Sequence, residues 1–194
     1  KSLGNFISRE TIAELCEEYS RDVYRYYLLR AVTFGSDGDF SRDMLRERYN
    51  VELANGIGNL LSRTVNMIGR YFDGIIPEPG QPGEIEADVL AAASALHEGA
   101  EAAMTRCQFH VYLDLVADIT AATNQYIDRT EPFKLAKDET QRERLGTILY
   151  TCAEAVRVLL VYLRPFMPET VDRGLAQIGW ADTDAPLAES GAWG

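Results

Sequence analysis

Apolar residues recur at every third or fourth position through most of this chain, and that spacing restricts the fold to packed helices. One such run covers residues 53–72, and another covers residues 109–127. The strongest run follows Asp138 and consists of Leu145, Ile148, Leu149, Cys152, Val156, Leu159, Leu160 and Leu163. Since no region is rich in strand signals, we predict an all-α protein, an up-and-down helical bundle with a small helical entry subdomain.

Prolines, glycines and capping residues mark where these helices begin and end. We expect Ser41 to cap the helix that carries the run at 53–72, and Gly74 and Pro77 to end it. Residues 75–83 contain three prolines and two glycines, so they are predicted to form a linker.

The chain is predicted to divide into three parts. Residues 1–40 form the entry subdomain, with short helices at 11–19 and 22–31. Residues 41–178 form the bundle. Residues 179–194 are rich in Gly, Ala and Asp, so we expect a loosely ordered tail.

Composition and charge exclude several classes of protein. The chain has 194 residues, of which 46% are apolar and 25% charged, as in an ordinary soluble domain. Its longest apolar stretches are interrupted by Arg157, Arg164 and His97, so we expect no membrane span. Its three cysteines, an odd number without short spacing, suit a reducing cytoplasm, so we expect a cytoplasmic protein. The net charge of −11 argues against binding along an extended phosphate track, but it allows a small patch to read unstacked loop bases.

The residues that usually carry metal or covalent chemistry are few and scattered. Cys16, Cys107 and Cys152 form no short-spaced pair, so we predict neither a disulfide framework nor a zinc site and expect small buried helix residues instead. Neither His97 nor His110 follows a glutamate by three residues, as metal-carboxylate bundles require. We therefore predict no metal site.

A polar stripe runs along the helix predicted after Ser41. It consists of Asn55, Asn59, Ser62, Arg63, Asn66 and Arg70, at spacings of three and four. Asparagine and arginine match the edges of nucleic-acid bases, whereas a solvated face usually carries Glu and Lys. Two interpretations are open: the stripe reads bases, or Asn59 and Arg63 cap or cross-link neighbouring helices. Gly56 and Gly58 beside it either admit a closely packed backbone or open a path to a ligand.

A second candidate lies at a helix junction within residues 124–137. Phe133 follows Pro132 there, and Lys134 and Lys137 flank it. An aromatic ring beside two cations could stack on a base. Alternatively, Phe133 is a core residue that holds the junction.

Over residues 1–168 the chain resembles the methionyl-tRNA synthetases. Its opening, Lys-Ser-Leu-Gly-Asn, is similar to the end of the Lys-Met-Ser-Lys-Ser loop that the class I synthetases for isoleucine, leucine, valine and cysteine share. The discriminating stretches, in this order and spacing, are residues 25–30, 34–41, 49–55, 58–63 and 124–138.

The resemblance implies that both candidates bind tRNA. Residues 1–40 would contact the inner side of the tRNA, and the bundle would be the anticodon-binding domain. The anticodon-binding set would be Asn55, Asn59, Arg63, Asn66, Pro132 and Phe133. In the family, the residues equivalent to Asn59 and Arg63 hydrogen-bond anticodon bases, and the aromatic equivalent to Phe133 stacks on the first base. Most members have Trp at this position, but Phe keeps the π-face that stacking requires.

The resemblance also implies a parent enzyme that ligates methionine to tRNA(Met) using ATP with Mg²⁺. Lys1 would be the second lysine of the signature loop, which stabilises ATP phosphates. The catalytic domain would precede this chain, so the chain alone would be inactive and hold no cofactor, and its partners would be the anticodon loop and that domain. Two alternatives are the anticodon-binding domain of another class I synthetase (Ile, Val, Leu or Cys) and a helical interaction module with no RNA role.

Overall fold

The computed structural model describes residues 7–180 and 187–194. Within these ranges every regular element is a helix and no strand occurs, which confirms the predicted all-α bundle. The front consists of α1 (Arg9–Tyr19) and α2 (Arg21–Ala31). Ser20 lies between them at φ +95°, and its hydroxyl accepts a hydrogen bond from the amide three residues on, so one residue ends α1 and caps α2.

A continuous helical segment follows, in three pieces: α3 (Arg42–Arg48), a π-helix (Tyr49–Gly58) and α4 (Asn59–Tyr71). Ser41 caps it as predicted, because its hydroxyl accepts a hydrogen bond at 3.4 Å from the amide three residues on. Gly74 follows at φ +80°, a conformation in which the chain leaves the helix and enters the predicted linker.

The π-helix departs from the α-helical periodicity that the sequence predicts. The Asn59 amide donates to the carbonyl of Ala54, five residues earlier instead of four. A Cβ at Gly58 would lie 3.0 Å from the carbonyl oxygen of Leu53, and one at Gly56 would lie 3.2 Å from the carbonyl five residues before it. Since these contacts are tighter than most side chains tolerate, glycine suits the positions where the wider turn brings carbonyls close.

The rest of the bundle is formed by helices that pack around α8. They are α5 (Ala87–Thr105), α6 (Phe109–Thr130), α7 (Pro132–Leu135), α8 (Arg142–Leu163), α9 (Pro168–Gln177) and α10 (Leu187–Ser190). Short 3₁₀ turns, Glu84–Glu86 and Glu139–Gln141, lead into α5 and α8. α5 packs along α6, and α8 packs against α4, α5, α6 and α9.

α8 is the core helix. From Leu145 to Leu163 every residue except Tyr150 is buried, so this helix is covered on all sides and not along one stripe. The segment Glu139–Leu163 is long and apolar enough to pass for a membrane span, but 94% of its apolar window lies inside the protein. That burial is typical of the central helix of a bundle.

Glu86 fastens the linker to the bundle. Its buried carboxylate accepts hydrogen bonds from the Gly83 amide at 2.6 Å, the Tyr126 hydroxyl at 2.5 Å and the Arg144 guanidinium at 2.5 Å. Burial alone would raise the pKa of Glu86, but these donors outweigh burial and lower the pKa below its ordinary value. The network joins the end of the linker to α6 and α8.

The described part of the tail is packed, contrary to the loose order that its composition predicts. Arg157 of α8 donates to the carbonyl oxygens of Ser190 and Ala192. Arg157 also pairs with Glu154, and its guanidinium lies 4.6 Å from the centre of the Trp180 ring. The tail therefore covers a buried ion pair on α8.

Candidate nucleic-acid interface

The predicted polar stripe lies on the π-helix and α4. Asn55, Asn59 and Asn66 are exposed, and Arg63 is half-buried. The Asn66 amide donates to Ser62 at 3.2 Å, but the side chains of Asn55 and Asn59 have no hydrogen-bond partner within the described residues. The stripe thus presents two free amides to solvent, each with the donor and acceptor groups that match a base edge.

Arg63 is tied to the neighbouring helix. One guanidinium nitrogen lies 2.8 Å from a carboxylate oxygen of Asp128 in α6, which is 65 residues away in the sequence. The Arg63 side chain is 32% exposed and that of Asp128 is 68% exposed, so this ion pair adds little stability. Its effect is geometric, because it holds the guanidinium in one place and leaves other N–H groups to meet an acceptor. The cross-linking alternative therefore applies to Arg63 but not to Asn59.

A strained turn joins α6 to α7. Glu131 stands between the helices at φ +45° and ψ +55°, a left-handed conformation that is uncommon for residues other than glycine. Its amide still donates to the carbonyl of Ile127 at 3.0 Å, and its own carbonyl accepts from the Lys134 amide at 2.8 Å. One residue therefore redirects the chain from the end of α6 into α7, whose first residue is Pro132.

Phe133 is 48% exposed, so the alternative in which it holds the junction as a core residue is wrong. Its neighbours have that role: Pro132 is buried, and Leu135 packs against the hydrophobic core. A four-residue helix can turn only one face toward the bundle, and these two residues, three positions apart, occupy that face. The Phe133 ring is left in solvent.

Asp128 relates the two candidate features, the polar stripe and Phe133, to the same end of α6. It lies in the last turn of α6, and Phe133 follows it by five residues across the turn at Glu131. Arg63 contacts this same Asp128 from α4. The guanidinium of the stripe and the exposed aromatic ring therefore flank one helix end.

The charges around this helix end are mixed. Lys134 pairs with Glu131 at 2.7 Å, whereas Lys137 is exposed and has no ion-pair partner in the part of the chain that the structure describes. With a net charge of −11 for the whole chain, such a surface has few cations to offer to phosphates. It suits contact with a short loop better than contact with a long duplex.

A cavity of about 210 Å³ adjoins the stripe, between the π-helix and α6. Its lining is mostly apolar, with Gly56 contributed by the π-helix and Asn124 by α6. At both glycines the close backbone belongs to the same helical segment: the carbonyl of Val51 at Gly56 and that of Leu53 at Gly58. Gly56 also lines this cavity, so the alternative in which the glycines open a path to a ligand stays a prediction.

The sequence patterns did not indicate Asp128 or Glu131. Asp128 is too far from Arg63 along the chain for any helical spacing to relate them. The signal available for Glu131 was the proline after it, because a residue before proline is disfavoured in the α-helical conformation. A break at that position was predictable, but its left-handed form was not.

The other residues of reactive or metal-binding types form no second candidate site in the part of the chain that the structure describes. No metal-binding group of His, Cys, Asp and Glu side chains occurs within residues 7–180 and 187–194. Burial raises the pKa of the Cys152 thiol to about 12, so this thiol is inert near neutral pH. Lys1, the predicted remnant of the signature loop, lies outside the described residues.

The sequence is similar to known synthetases. Residues 1–65 match the model of a family described as tRNA synthetases class I (M). The methionine–tRNA ligase of Caldanaerobacter subterraneus subsp. tengcongensis is 45% identical over 179 residues, which is 92% of this chain and 28% of that protein. The ligase of Bacillus subtilis is 42% identical over 183 residues, which is 94% of this chain and 27% of that protein. The chain thus spans less than a third of the length of these relatives.

Solved structures of a methionyl-tRNA synthetase share this fold. The Mycobacterium tuberculosis methionyl-tRNA synthetase bound by methionyl-adenylate matches with a TM-score of 0.90 at 32% identity, covering 100% of this chain and 38% of that chain. The apo form of that enzyme matches with a TM-score of 0.87, covering 93% of this chain and 37% of that chain. Sequence and fold therefore agree along nearly the whole chain, which is homologous to a part of the methionyl-tRNA synthetases.

Proposed function

We propose that this chain reads the anticodon of tRNA(Met) as part of a methionine–tRNA ligase. Unpaired loop bases are recognised by stacking on aromatic rings and by hydrogen bonds to their edges. The chain offers both kinds of group, in the exposed ring of Phe133 and in the polar side chains of the stripe. The observation that carries the proposal is the ion pair between Arg63 and Asp128, because it joins the stripe to the helix end from which Phe133 projects.

Each group has a distinct role in this proposal. The Phe133 ring stacks on the first anticodon base, an interaction worth about 1–3 kcal/mol. Asn59 and Arg63 bond the edges of the bases, with Asn59 as donor and acceptor and Arg63 as donor only. Asn55 and Asn66 extend the polar edge on either side, and the buried Pro132 holds the ring outward from the bundle.

The front of the chain is proposed to contact the inner side of the tRNA and to transmit docking toward the catalytic part of the enzyme. Arg30 of α2 supports this proposal, since it bonds Asp114 at 2.7 Å and the carbonyl of His110 at 3.0 Å, both on α6. It also lies 3.4 Å from Glu52 of the π-helix. The front is thus bonded to two of the elements that form the candidate surface, the π-helix and α6.

The activity of the whole enzyme follows from the same inference. It would ligate methionine to tRNA(Met) with ATP and Mg²⁺, and Lys1 would act on the ATP phosphates. The Mycobacterium tuberculosis relative that is bound by methionyl-adenylate supports this reaction. The chain by itself is expected to bind RNA without catalysing the ligation. The cysteines of the chain are free, which suits a reducing compartment such as the cytoplasm.

Titration of a stem-loop that bears the CAU anticodon tests the proposal. We expect Phe133→Ala and Arg63→Ala each to weaken binding by about 1–3 kcal/mol. Changing the first base of the anticodon should weaken binding to the parent chain by a similar amount. Phe34→Ala is the matched control. Phe34 is a 67% exposed ring in the loop after α2, in the front that is proposed to contact the inner side of the tRNA and outside the anticodon-binding set, so we expect the variant to bind the stem-loop like the parent chain.

Three results would contradict the proposal. Equal losses in Phe34→Ala and Phe133→Ala would mean that the ring at the α6–α7 junction has no special role. Preference for the anticodon of isoleucine, valine, leucine or cysteine tRNA would indicate another synthetase. No binding to any stem-loop, with circular dichroism showing a folded chain, would favour the helical interaction module.

A further inference from the structure

The last turn of α6 has two polar contacts with the 3₁₀ turn and the first residues of α5. Tyr126 donates its hydroxyl to the Glu86 carboxylate at 2.5 Å, and Arg129 pairs with Asp88 at 2.8 Å. Arg129 and Asp88 are exposed, so their ion pair adds little stability, whereas Tyr126 and Glu86 are buried. Asp128 of the candidate RNA surface lies two residues after Tyr126. Glu86 is therefore the stronger polar anchor of the helix end that carries this surface.

The end of the tail, from α10 onward, docks on the middle of α8. Arg157 donates to the carbonyl oxygen of Ala192 at 2.5 Å, and the Gly194 amide donates to the Glu154 carboxylate at 3.0 Å. Arg157 and Glu154 are both buried, and hydrogen bonds away from water are stronger than exposed ones. Trp193 lies between the two anchored tail residues, so its position is fixed when the tail is docked.

The linker docks on the same face of α8. The Gly80 amide donates to Thr147 Oγ1 at 3.1 Å, and a Cβ at Gly80 would lie only 2.5 Å from that oxygen, so the linker backbone lies directly on the helix. Thr147 precedes Glu154 by seven residues, which is two helical turns or roughly 10 Å along the axis. The linker and the tail end therefore occupy neighbouring positions on α8.

A cavity of about 230 Å³ lies between these two docked segments. Pro79 and Pro82 line it from the linker, Trp193 from the tail, and Tyr150 from α8. Glu86 also lines it, yet this residue is 0% exposed while the tail is docked. Trp193 is thus part of the wall around Glu86. With the tail undocked, that part of the wall is missing, and water can compete for the hydrogen bonds of the carboxylate.

We infer that Trp193 is a positioning residue for the candidate RNA surface: it shields Glu86 from water, and Glu86 holds the last turn of α6 through Tyr126. Since water weakens a hydrogen bond by replacing one partner, undocking the tail loosens this turn. Asp128 then loses its fixed place, and Arg63 loses the orientation that this carboxylate gives it. By reciprocity, RNA bound at the surface stabilises the docked tail. The consequence for RNA rests on the proposed function, but the effect on α6 does not.

Hydrogen exchange at the amides of residues 126–131 tests the effect on α6 without RNA. We expect Trp193→Ala to speed exchange there by about 2- to 30-fold, while the amides of α2 exchange as in the parent chain. Trp193→Phe keeps an apolar ring and should restore most of the protection. Glu189→Gln, an exposed change in the same tail, is the control and should leave exchange unchanged. In a Glu86→Gln background, Trp193→Ala should have no further effect, because its route to α6 is already removed.

Titration with the CAU stem-loop measures the effect on RNA. Trp193→Ala should bind the stem-loop about 2- to 30-fold more weakly than the parent chain, and Glu189→Gln should bind like the parent chain. In the Glu86→Gln background this loss should disappear. Saturating stem-loop should slow proteolysis of the tail in the parent chain, because coupling between two sites acts in both directions.

Three results would overturn the inference. Unchanged exchange at residues 126–131 in Trp193→Ala would mean that the tail does not protect the contact between Glu86 and Tyr126. Equal acceleration in α2 and α6 would mean that the tail stabilises only the chain as a whole. A loss of stem-loop affinity that persists in the Glu86→Gln background would mean that Trp193 acts on RNA by another route. Absence of stem-loop binding by the parent chain would instead refute the proposed function and leave the exchange prediction in place.

Discussion

Replacing Glu86 with glutamine is expected to lower the free energy of unfolding by about 2.5–4 kcal/mol. The carboxylate accepts from three donors, and the amide has only one acceptor atom, so at least one charge-assisted bond worth about 1.5–3 kcal/mol is lost. The new amide hydrogens also face donors, which leaves a buried donor unpaired at a cost of about 1–3 kcal/mol. Arg144 is 33% exposed, so water can solvate its charge and keep the total in the lower half of that sum.

The same substitution removes a dependence on pH. The folded-state pKa of Glu86 is lowered, so its stabilisation is fully present above the unfolded-state pKa of about 4.3 and is lost as the pH falls through the folded-state value. The difference between the parent chain and Glu86→Gln should therefore be largest near neutral pH and shrink below about pH 4. Urea unfolding followed by circular dichroism at several pH values measures this difference. Glu84→Gln, an exposed change in the same 3₁₀ turn, is the control.

Two results would refute this reasoning. One is a loss in Glu86→Gln below about 0.5 kcal/mol or equal to that in Glu84→Gln, since surface substitutions away from special features have effects of that size. The other is a difference between the parent chain and Glu86→Gln that stays constant as the pH falls into the acid range, because the carboxylate would then not be the source of the stability.

Three further predictions concern other parts of the chain. Gly69→Ala in α4, where a Cβ meets open space, should raise the free energy of unfolding by about 1 kcal/mol, as urea unfolding can measure. Gly58→Ala should give no such gain in the same assay, because its Cβ would press on a carbonyl oxygen. Arg157→Met should lower the free energy of unfolding by about 3–5 kcal/mol, because it leaves the buried Glu154 carboxylate without its ion-pair partner, and it should speed proteolysis of the tail. Unchanged proteolysis would contradict the contact between Arg157 and the tail. Of the three thiols, we expect only Cys152 to resist a disulfide reagent at pH 8 until the chain unfolds, and rapid reaction of all three would contradict its burial.

The helices of this protein could be predicted from the sequence because a period of three to four residues is a local property. The cap at Ser41 and the linker at 75–83 are also set by neighbouring residues, and the structure has both where the pattern indicates. The π-helix escaped prediction, because its hydrogen bonds reach one residue further than those of an α-helix while the apolar spacing hardly changes.

The candidate site, like the fold, could be predicted from the sequence only in part. The residue types that suit base recognition were visible in the sequence, but Phe133 could have been core or surface until the packing of Pro132 and Leu135 left it in solvent. The partner of Arg63 and the docking of the tail on Arg157 link positions 65 and 33 residues apart. A sequence period says which residues share a helix face, but only the packed structure decides which face meets which, because that choice minimises the exposed apolar surface of the whole chain at once.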